Sequence, residues 1–257
     1  RKLSNITVPV TIINAKTIQQ NGSLRLTDIL KEQTGLNLTS GFGAGIQLQG
    51  LNPDYTIILI NGEPLVGRTA GVLDLNRIAL GNIKKIEIVK GPSSSLYGSE
   101  AMAGVINIIT DASIGAPLTV GLRYGTYKTV DANLETKLQT KNFQYQGFIN
   151  SYHTDGYSIR PNSNSRVRTP IERYSTTQQI KWELSSKTNF VLNTRFTNEQ
   201  IQNEIAVSNN GVTIYSIGKE NIKDLNASAS LNHRFSKKLK TSLRTYTTTY
   251  DAVQNLL

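Results

Sequence analysis

Apolar and polar positions follow two different rules along this chain, and the rule changes near residue 112. After that point they alternate with a period of two. Leu225, Ala227, Ala229, Leu231 and Phe235 share one face, and Asn226, Ser228, Ser230, Asn232 and Arg234 share the other. Ala132, Leu134 and Leu138 oppose Asn133, Glu135, Lys137 and Gln139 in the same way, as Phe190, Leu192 and Phe196 oppose Asn193, Arg195 and Thr197. The alternation predicts seven strands: Leu118–Tyr127, Val130–Gln139, Phe143–Tyr152, Glu172–Leu184, Thr188–Asn198, Asp224–Phe235 and Leu239–Tyr250. Each is longer than the five or six residues usual in soluble sheets, and long enough, when tilted, to cross the apolar layer of a bilayer. From Val130 onward the gaps run 3, 19, 3, 25 and 3 residues. Short turns at one end and long loops at the other are the pattern of a transmembrane β-barrel.

Before residue 112 the pattern mixes short strands with helix. Val8–Ile13 reads as a strand. Leu24–Gln33 reads as a helix with Leu26, Ile29 and Leu30 on one face, Ser23 as its N-cap and Thr34-Gly35 as its C-terminal stop. Tyr55–Ile60 is nearly all apolar, which predicts a central strand covered on both faces, and Asn61-Gly62 after it is a strong hairpin turn signal. Ile83–Val89 and Val105–Ile109 complete the strands.

Composition agrees with a boundary there. Residues 1–112 hold 13 of the 20 glycines but only 3 of the aromatics, Phe42, Tyr55 and Tyr97. Two units are therefore expected, 1–112 and 113–257. The net charge of +10 suggests nucleic acid at first. Its distribution removes that reading: the first 112 residues hold 10 basic and 8 acidic residues, the remainder 18 and 10, with the excess scattered singly along the alternating strands. No nucleic-acid partner is expected. With no cysteine and only His153 and His233, neither a disulfide, a thiol nucleophile nor a His-rich metal site is expected.

Catalytic motifs fail one by one. Gly41-Phe42-Gly43-Ala44-Gly45 lacks the third glycine of a dinucleotide loop, and Tyr97-Gly98-Ser99 stands where a phosphate loop needs Gly-Lys-Ser/Thr. Ser216-Ile-Gly-Lys219 has no companion motif. No enzyme, catalytic residue or cofactor is expected.

Three ordered segments carry a family resemblance. They are Leu26-Thr-Asp-Ile-Leu-Lys-Glu-Gln-Thr-Gly35; Ile46-Gln-Leu-Gln-Gly50 leading to Tyr55-Thr-Ile-Ile-Leu-Ile-Asn-Gly-Glu-Pro64; and Ile83 to Gly98 continuing through Ala101-Met-Ala-Gly-Val-Ile-Asn-Ile-Ile-Thr110. Over residues 6–111 the chain resembles the plug domain of TonB-dependent outer-membrane receptors, of the siderophore, haem and cobalamin type. The resemblance implies an α+β plug with a small mixed sheet, followed by antiparallel strands of an incomplete transmembrane β-barrel. It implies location in the outer membrane of a Gram-negative bacterium, contact with outer-membrane lipid, and a TonB-type energy-coupling partner in the periplasm. It also implies active import of a scarce large solute, such as a ferric siderophore, haem or cobalamin. A complete soluble β-rich extracellular binding module is the competing expectation.

Family barrels have 22 strands. At roughly 10 residues each they need about 220 residues, against the 145 that follow residue 112. An unclosed barrel and an N-terminal fragment or truncated reading frame are therefore expected, without a signal peptide or the energy-coupling box. By resemblance, outward plug loops hold the ligand. Two segments fit, Ser40–Gly45 and Pro64–Gly71, both rich in glycine and without regular periodicity. The candidate ligand-binding residues are Phe42, Gly43, Val66, Gly67, Arg68 and Thr69, with Arg68 set to pair with a carboxylate or catecholate. The sequence departs from the family pattern at Gln49, where Arg is usual, and at Lys85 and Lys90, so the usual ion-pair lock between plug and barrel is not expected. The apolar strand faces should meet lipid. The gaps His153–Ile171 and Glu199–Lys223 should lie outside the cell, and the turns 185–187 and 236–238 in the periplasm.

Overall fold

A computed structural model describes residues 9–41, 43–68, 72–93, 97–110, 116–157, 169–209 and 212–256. The chain divides into two compact units, Arg1–Asp111 and Ala112–Leu257.

The first unit is built on a five-stranded mixed sheet of order β1-β6-β7-β4-β5. Its strands are β1 (Val10–Asn14), β4 (Thr56–Ile60), β5 (Glu63–Pro64), β6 (Ile83–Lys90) and β7 (Gly104–Thr110). β7 holds the middle; β4 pairs with it in parallel and carries the two-residue β5 on its other side. All of Thr56–Leu59 is buried. Ile58 enters the main core with Ile86, Ile88, Ile106 and Ile108. Ile57 and Leu59 point the other way, against Ala101 and Val105. Burial on both faces is why this strand reads as an unbroken apolar run. Asn61 and Gly62 take φ of 53° and 82°, the left-handed pair that a tight hairpin needs, and Pro64 ends the edge strand at once.

Helix α1 (Ala15–Gln20) has no counterpart in the sequence reading, because only Ile18 of its six residues is buried and no stripe forms. α2 (Leu26–Leu30) is shorter than expected, and its N-cap is Arg25, not Ser23. The Asp28 carboxylate takes the capping role, accepting the N–H of Leu24 at 3.1 Å and of Arg25 at 3.0 Å. A larger correction concerns Ser40–Gly45. Strands β2 (Leu36–Gly41) and β3 (Gly43–Leu48) pair as a hairpin there, in register Gly41↔Gly43 and Thr39↔Gly45. Glycines at alternate positions erased the periodicity that reveals a strand.

The second unit is an antiparallel meander. Its strands are β8 (Leu118–Gly125), β9 (Thr129–Gln139), β10 (Phe143–Thr154), β11 (Ile171–Ser185), β12 (Thr188–Asn209), β13 (Val212–Arg234) and β14 (Lys240–Leu256). Each pairs only with its neighbours in sequence, so the described sheet is open at β8 and β14. One expected loop is absent: Glu199–Lys223 is mostly strand, with β12 and β13 paired from Thr188↔His233 to Asn209↔Val212. The missed signal is Asn210-Gly211, a hairpin dipeptide like Asn61-Gly62; these two residues lie outside the described ones.

The faces of this sheet are inverted relative to a soluble protein. Asp131, Glu135, Gln146, Asn150, Arg173, Glu199, Asp224 and Asn226 are buried, while Val120, Leu122, Leu138, Trp182, Leu231 and Leu243 are exposed. Many of the buried groups pair with one another. Asn150 Nδ2 donates to Asp131 Oδ1 at 2.6 Å, Gln146 Nε2 to Glu135 Oε1 at 3.0 Å, and Gln179 Nε2 to Asn193 Oδ1 at 2.8 Å. Arg195 pairs with Asp224 at 2.8 Å, and Arg173 pairs with Glu199 directly across the strands. No helix among the described residues is long and apolar enough to cross a membrane.

Candidate ligand-facing end of the first unit

Two loop systems meet at Pro53. The first is the β2–β3 hairpin. Gly45 packs so closely that a Cβ there would stand 2.9 Å from Pro53 Cγ and 3.0 Å from Val72 Cγ1. The second is the segment after β5, where the Arg68 guanidinium donates to Pro53 O at 3.0 Å and to Thr56 O at 3.2 Å. Arg68 also lies 3.6 Å from the exposed carboxylate of Glu100. Thr56 opens β4 and pairs with Gly104, so these contacts gather at the end of the sheet where β4 and β7 begin. The far end is closed by Asn61, which exchanges hydrogen bonds with Thr110 at 2.8 and 3.0 Å.

Of the six candidate residues, Phe42 and Thr69 lie outside the described ones. Gly43 stands at the hairpin tip with φ 97°, Gly67 is buried with φ 104°, and Val66 is exposed beside it. Gly43, Val66, Gly67 and Arg68 thus belong to one end of the unit. Arg68 is mostly covered, with 20% of its side chain accessible, and its bonds to two main-chain carbonyls tie the segment after β5 to the turn Pro53–Tyr55.

Sequence reasoning missed Asp74. Its buried carboxylate accepts the N–H of Ala44 at 3.0 Å and of Asn76 at 3.1 Å. Asp74 caps the short 3-10 turn Leu75–Arg77, so an Asp two residues before an Asn, set among leucines, was the available signal. The lysines at family arginine positions are engaged inside this unit: Lys85 Nζ lies 2.6 Å from Glu87 Oε1, and Lys90 Nζ donates to Thr34 O at 2.6 Å. Gln49 sits in a left-handed turn with Gly50. Among the described residues no group of three or more His, Asp or Glu side chains could hold a metal ion.

Comparison with known proteins gives a consistent answer. Residues 2–105 match the TonB-dependent Receptor Plug Domain. The chain is 30% identical over 167 residues to a vitamin B12 transporter, BtuB, of Vibrio vulnificus, a match covering 62% of this chain and 27% of the relative. Among solved structures, the siderophore receptor PiuA of Acinetobacter baumannii shares the fold with a TM-score of 0.75 at 14% identity, over 98% of this chain and 38% of that one. A mutant ferric enterobactin receptor of Pseudomonas aeruginosa, PfeA, gives 0.70 at 21%, over 95% and 41%. The open form of the ferric-catecholate import receptor Fiu of E. coli K12 gives 0.70 at 17%, over 99% and 40%. The chain therefore spans about a quarter of the length of that curated relative. These relatives are transport receptors, not enzymes. Residues 2–105 thus match a TonB-dependent receptor plug domain, and the mixed sheet followed by seven antiparallel strands shares the fold of these solved outer-membrane receptors.

Proposed function

We propose that the receptor containing this chain binds a metal chelate or large metal cofactor at the cell surface and imports it across the outer membrane. The observation that carries this reading is the pairing of an apolar-cored plug domain with strands whose apolar side chains face outward. A soluble binding module would present the opposite face to water. Energy reaches the plug from the inner membrane through a TonB-type protein in the periplasm, as the family resemblance implies. The ligand class follows from the relatives: a vitamin B12 transporter and receptors for ferric enterobactin and ferric catecholates share ligands that are metal complexes. Ferric siderophores, haem and cobalamin are the members to test. Phe42, Gly43, Val66, Gly67, Arg68 and Thr69 form the plug side of the site. Arg68 there holds the loops in place and lends positive potential to an anionic chelate.

The experiment is growth of a receptor-deleted strain carrying the full-length gene. Ferric enterobactin or haem serves as sole iron source in one arm, and cobalamin as the limiting cofactor in another. Rescue in one arm names the ligand. Rescue in none, with the receptor present in the outer membrane, overturns the proposal.

The strand ends suggest an orientation. Turns 140–142, 186–187 and 235–239 are short and lie at one end of the meander, which we assign to the periplasm; turn 126–128 and the strand ends at Thr154, Ile171, Asn209 and Val212 lie at the other, assigned to the outside. A cysteine at Ser186 in intact cells should stay unlabelled by a membrane-impermeant maleimide, and one at Asn162 should react. Asn162, in the gap His153–Ile171, and Asn210, in the expected loop Glu199–Lys223, fall outside the described residues.

A further inference from the structure

We propose that Asp74 is the positioning residue of the ligand-facing hairpin, a role that rests on reading the β2–β3 tip as part of the site. Three observations converge on it. Its carboxylate is buried, yet one of its oxygens accepts a main-chain N–H from the hairpin, that of Ala44, at 3.0 Å. That same oxygen caps the turn Leu75–Arg77 through the N–H of Asn76 at 3.1 Å, and the other faces the buried Arg77 Nε at 3.9 Å. Finally, Gly43 adopts φ 97°, and a Cβ there would stand 2.5 Å from Asp74 Cβ. The hairpin tip therefore rests on Asp74 at a distance only glycine permits.

The chemistry explains why this contact sets a position. A buried carboxylate is costly to strip of a donor, because no water replaces the hydrogen bond it loses. The hairpin cannot rise from residues 72–74 without removing the Ala44 N–H from that charge. The connection continues inward: Asn76 Oδ1 accepts the Thr27 hydroxyl of α2 at 2.7 Å. Asp74 thus fixes the height of the tip relative to the turn Leu75–Arg77 and α2, while touching no ligand itself.

The test uses the full-length receptor in detergent, with Asp74→Ala, Asp74→Asn and Gly43→Ala. Asn keeps the accepting oxygen, so it should restore what Ala removes. Hydrogen exchange at the Ala44 amide should speed by about tenfold or more in Asp74→Ala and by less than about threefold in Asp74→Asn. Amides of β6 and β7 should be unchanged, which separates positioning from general damage. Ferric enterobactin and cyanocobalamin are the binding probes. Whichever binds the unaltered receptor should bind about tenfold more weakly to Asp74→Ala and Gly43→Ala, with Asn near the original affinity. An unchanged Ala44 exchange rate in Asp74→Ala overturns the proposal, as does faster exchange with unchanged affinity. If neither probe binds the unaltered receptor, the choice of ligand fails, and the exchange arm alone decides whether Asp74 holds the hairpin.

Discussion

Ile88 in the first unit and Leu122 in the second both lie on strands with a period of two, yet their fates are opposite. Ile88 is 0% exposed and Leu122 is 72% exposed. On the polar side the inversion repeats: Asn150 is 1% exposed, and Arg173 and Glu199 are buried with it. The plug sheet follows the rule of water-soluble proteins, in which apolar burial drives folding. The wall strands follow the rule of a barrel, in which the outward face meets hydrocarbon and the inward face is polar. Alternation alone therefore fixes which residues share a face, and the surroundings decide which face is buried.

Placing the same charge on both kinds of apolar face breaks this comparison most sharply. Ile88→Arg puts an unpaired cation in the plug core, and the cost should exceed about 5 kcal/mol, enough to abolish a folded plug. Hydrogen exchange of β6 and β7 in the full receptor checks it. Native protection in this variant would mean that Ile88 is not a core residue.

How much of this was legible depended on which side chains carried the signal. Leu225, Ala227, Ala229 and Leu231 alternate with Asn226, Ser228, Ser230 and Asn232, so β13 was readable, as was β4 from its run of Thr56-Ile57-Ile58-Leu59. The β2–β3 hairpin was not, because Gly41, Gly43 and Gly45 contribute no hydrophobicity; only the packing against Pro53, Val72 and Asp74 shows why Gly43 and Gly45 are there. The stretch 199–223 of β12 and β13 reads as a loop because its polar residues outnumber the apolar ones. For the proposed site, the segments holding Gly43 and Arg68 follow from the family pattern. That both meet Pro53 depends on long-range contacts that no local pattern records, and so does the part played by Asp74.

The second prediction concerns the buried polar face. Glu199→Ala should cost about 3–5 kcal/mol, because Arg173 then stays buried without its carboxylate. The paired change Arg173→Met with Glu199→Leu should recover most of that loss, since similar volume replaces an ion pair. Thermal unfolding of the detergent-solubilised receptor measures both. A single variant as stable as the parent would show that water reaches this face.

On the outward face, Leu225→Arg should cost about 2–4 kcal/mol in a bilayer if the residue lies near mid-depth, less than the same change in the plug core. Refolding into lipid vesicles under urea titration measures it. No cost in lipid would mean that Leu225 does not face hydrocarbon.

At the proposed ligand-facing end the expected effect is smaller. Arg68→Ala removes the donors to Pro53 O and Thr56 O, and affinity for the imported chelate should fall about tenfold, near 1.4 kcal/mol. Arg68→Lys should fall between, since one ammonium cannot reproduce the spread of a guanidinium. Unchanged binding by isothermal titration would remove Arg68 from the site.

The smallest effect is expected at the end of the sheet assigned to the outside, where the second unit ties two turns together beyond its strands. Lys128 Nζ lies 3.0 Å from Asp155 Oδ2, Asp155 N donates to Tyr127 O at 3.0 Å, and the Tyr127 and Tyr157 rings stack at 4.9 Å. The hydrogen bond from Lys128 holds the Asp155 carboxyl below its usual range, and the same bond raises the Lys128 ammonium above its own. The signs set the window. The contribution of Asp155 is present above the unfolded carboxylate pKa and is lost as pH falls through its lowered folded value. That of Lys128 is present below the unfolded lysine pKa and is lost as pH rises through its raised folded value. Between about pH 5 and pH 9 the pair should therefore stay intact. Both groups are fully exposed, so water and salt screen the pair, and the main-chain bond and the stacked rings hold the turns without it. His153 Nε2 also lies 3.1 Å from Asp155, so the measurement belongs in a His153→Ala background, where the lysine arm is read without the imidazole. Exchange of the Asp155 amide there should be the same with Lys128 and with Lys128→Ala to within about twofold, once corrected for intrinsic pH dependence. A marked loosening near neutral pH on removal of Lys128 would make this exposed pair, and not the backbone, the tie between the turns.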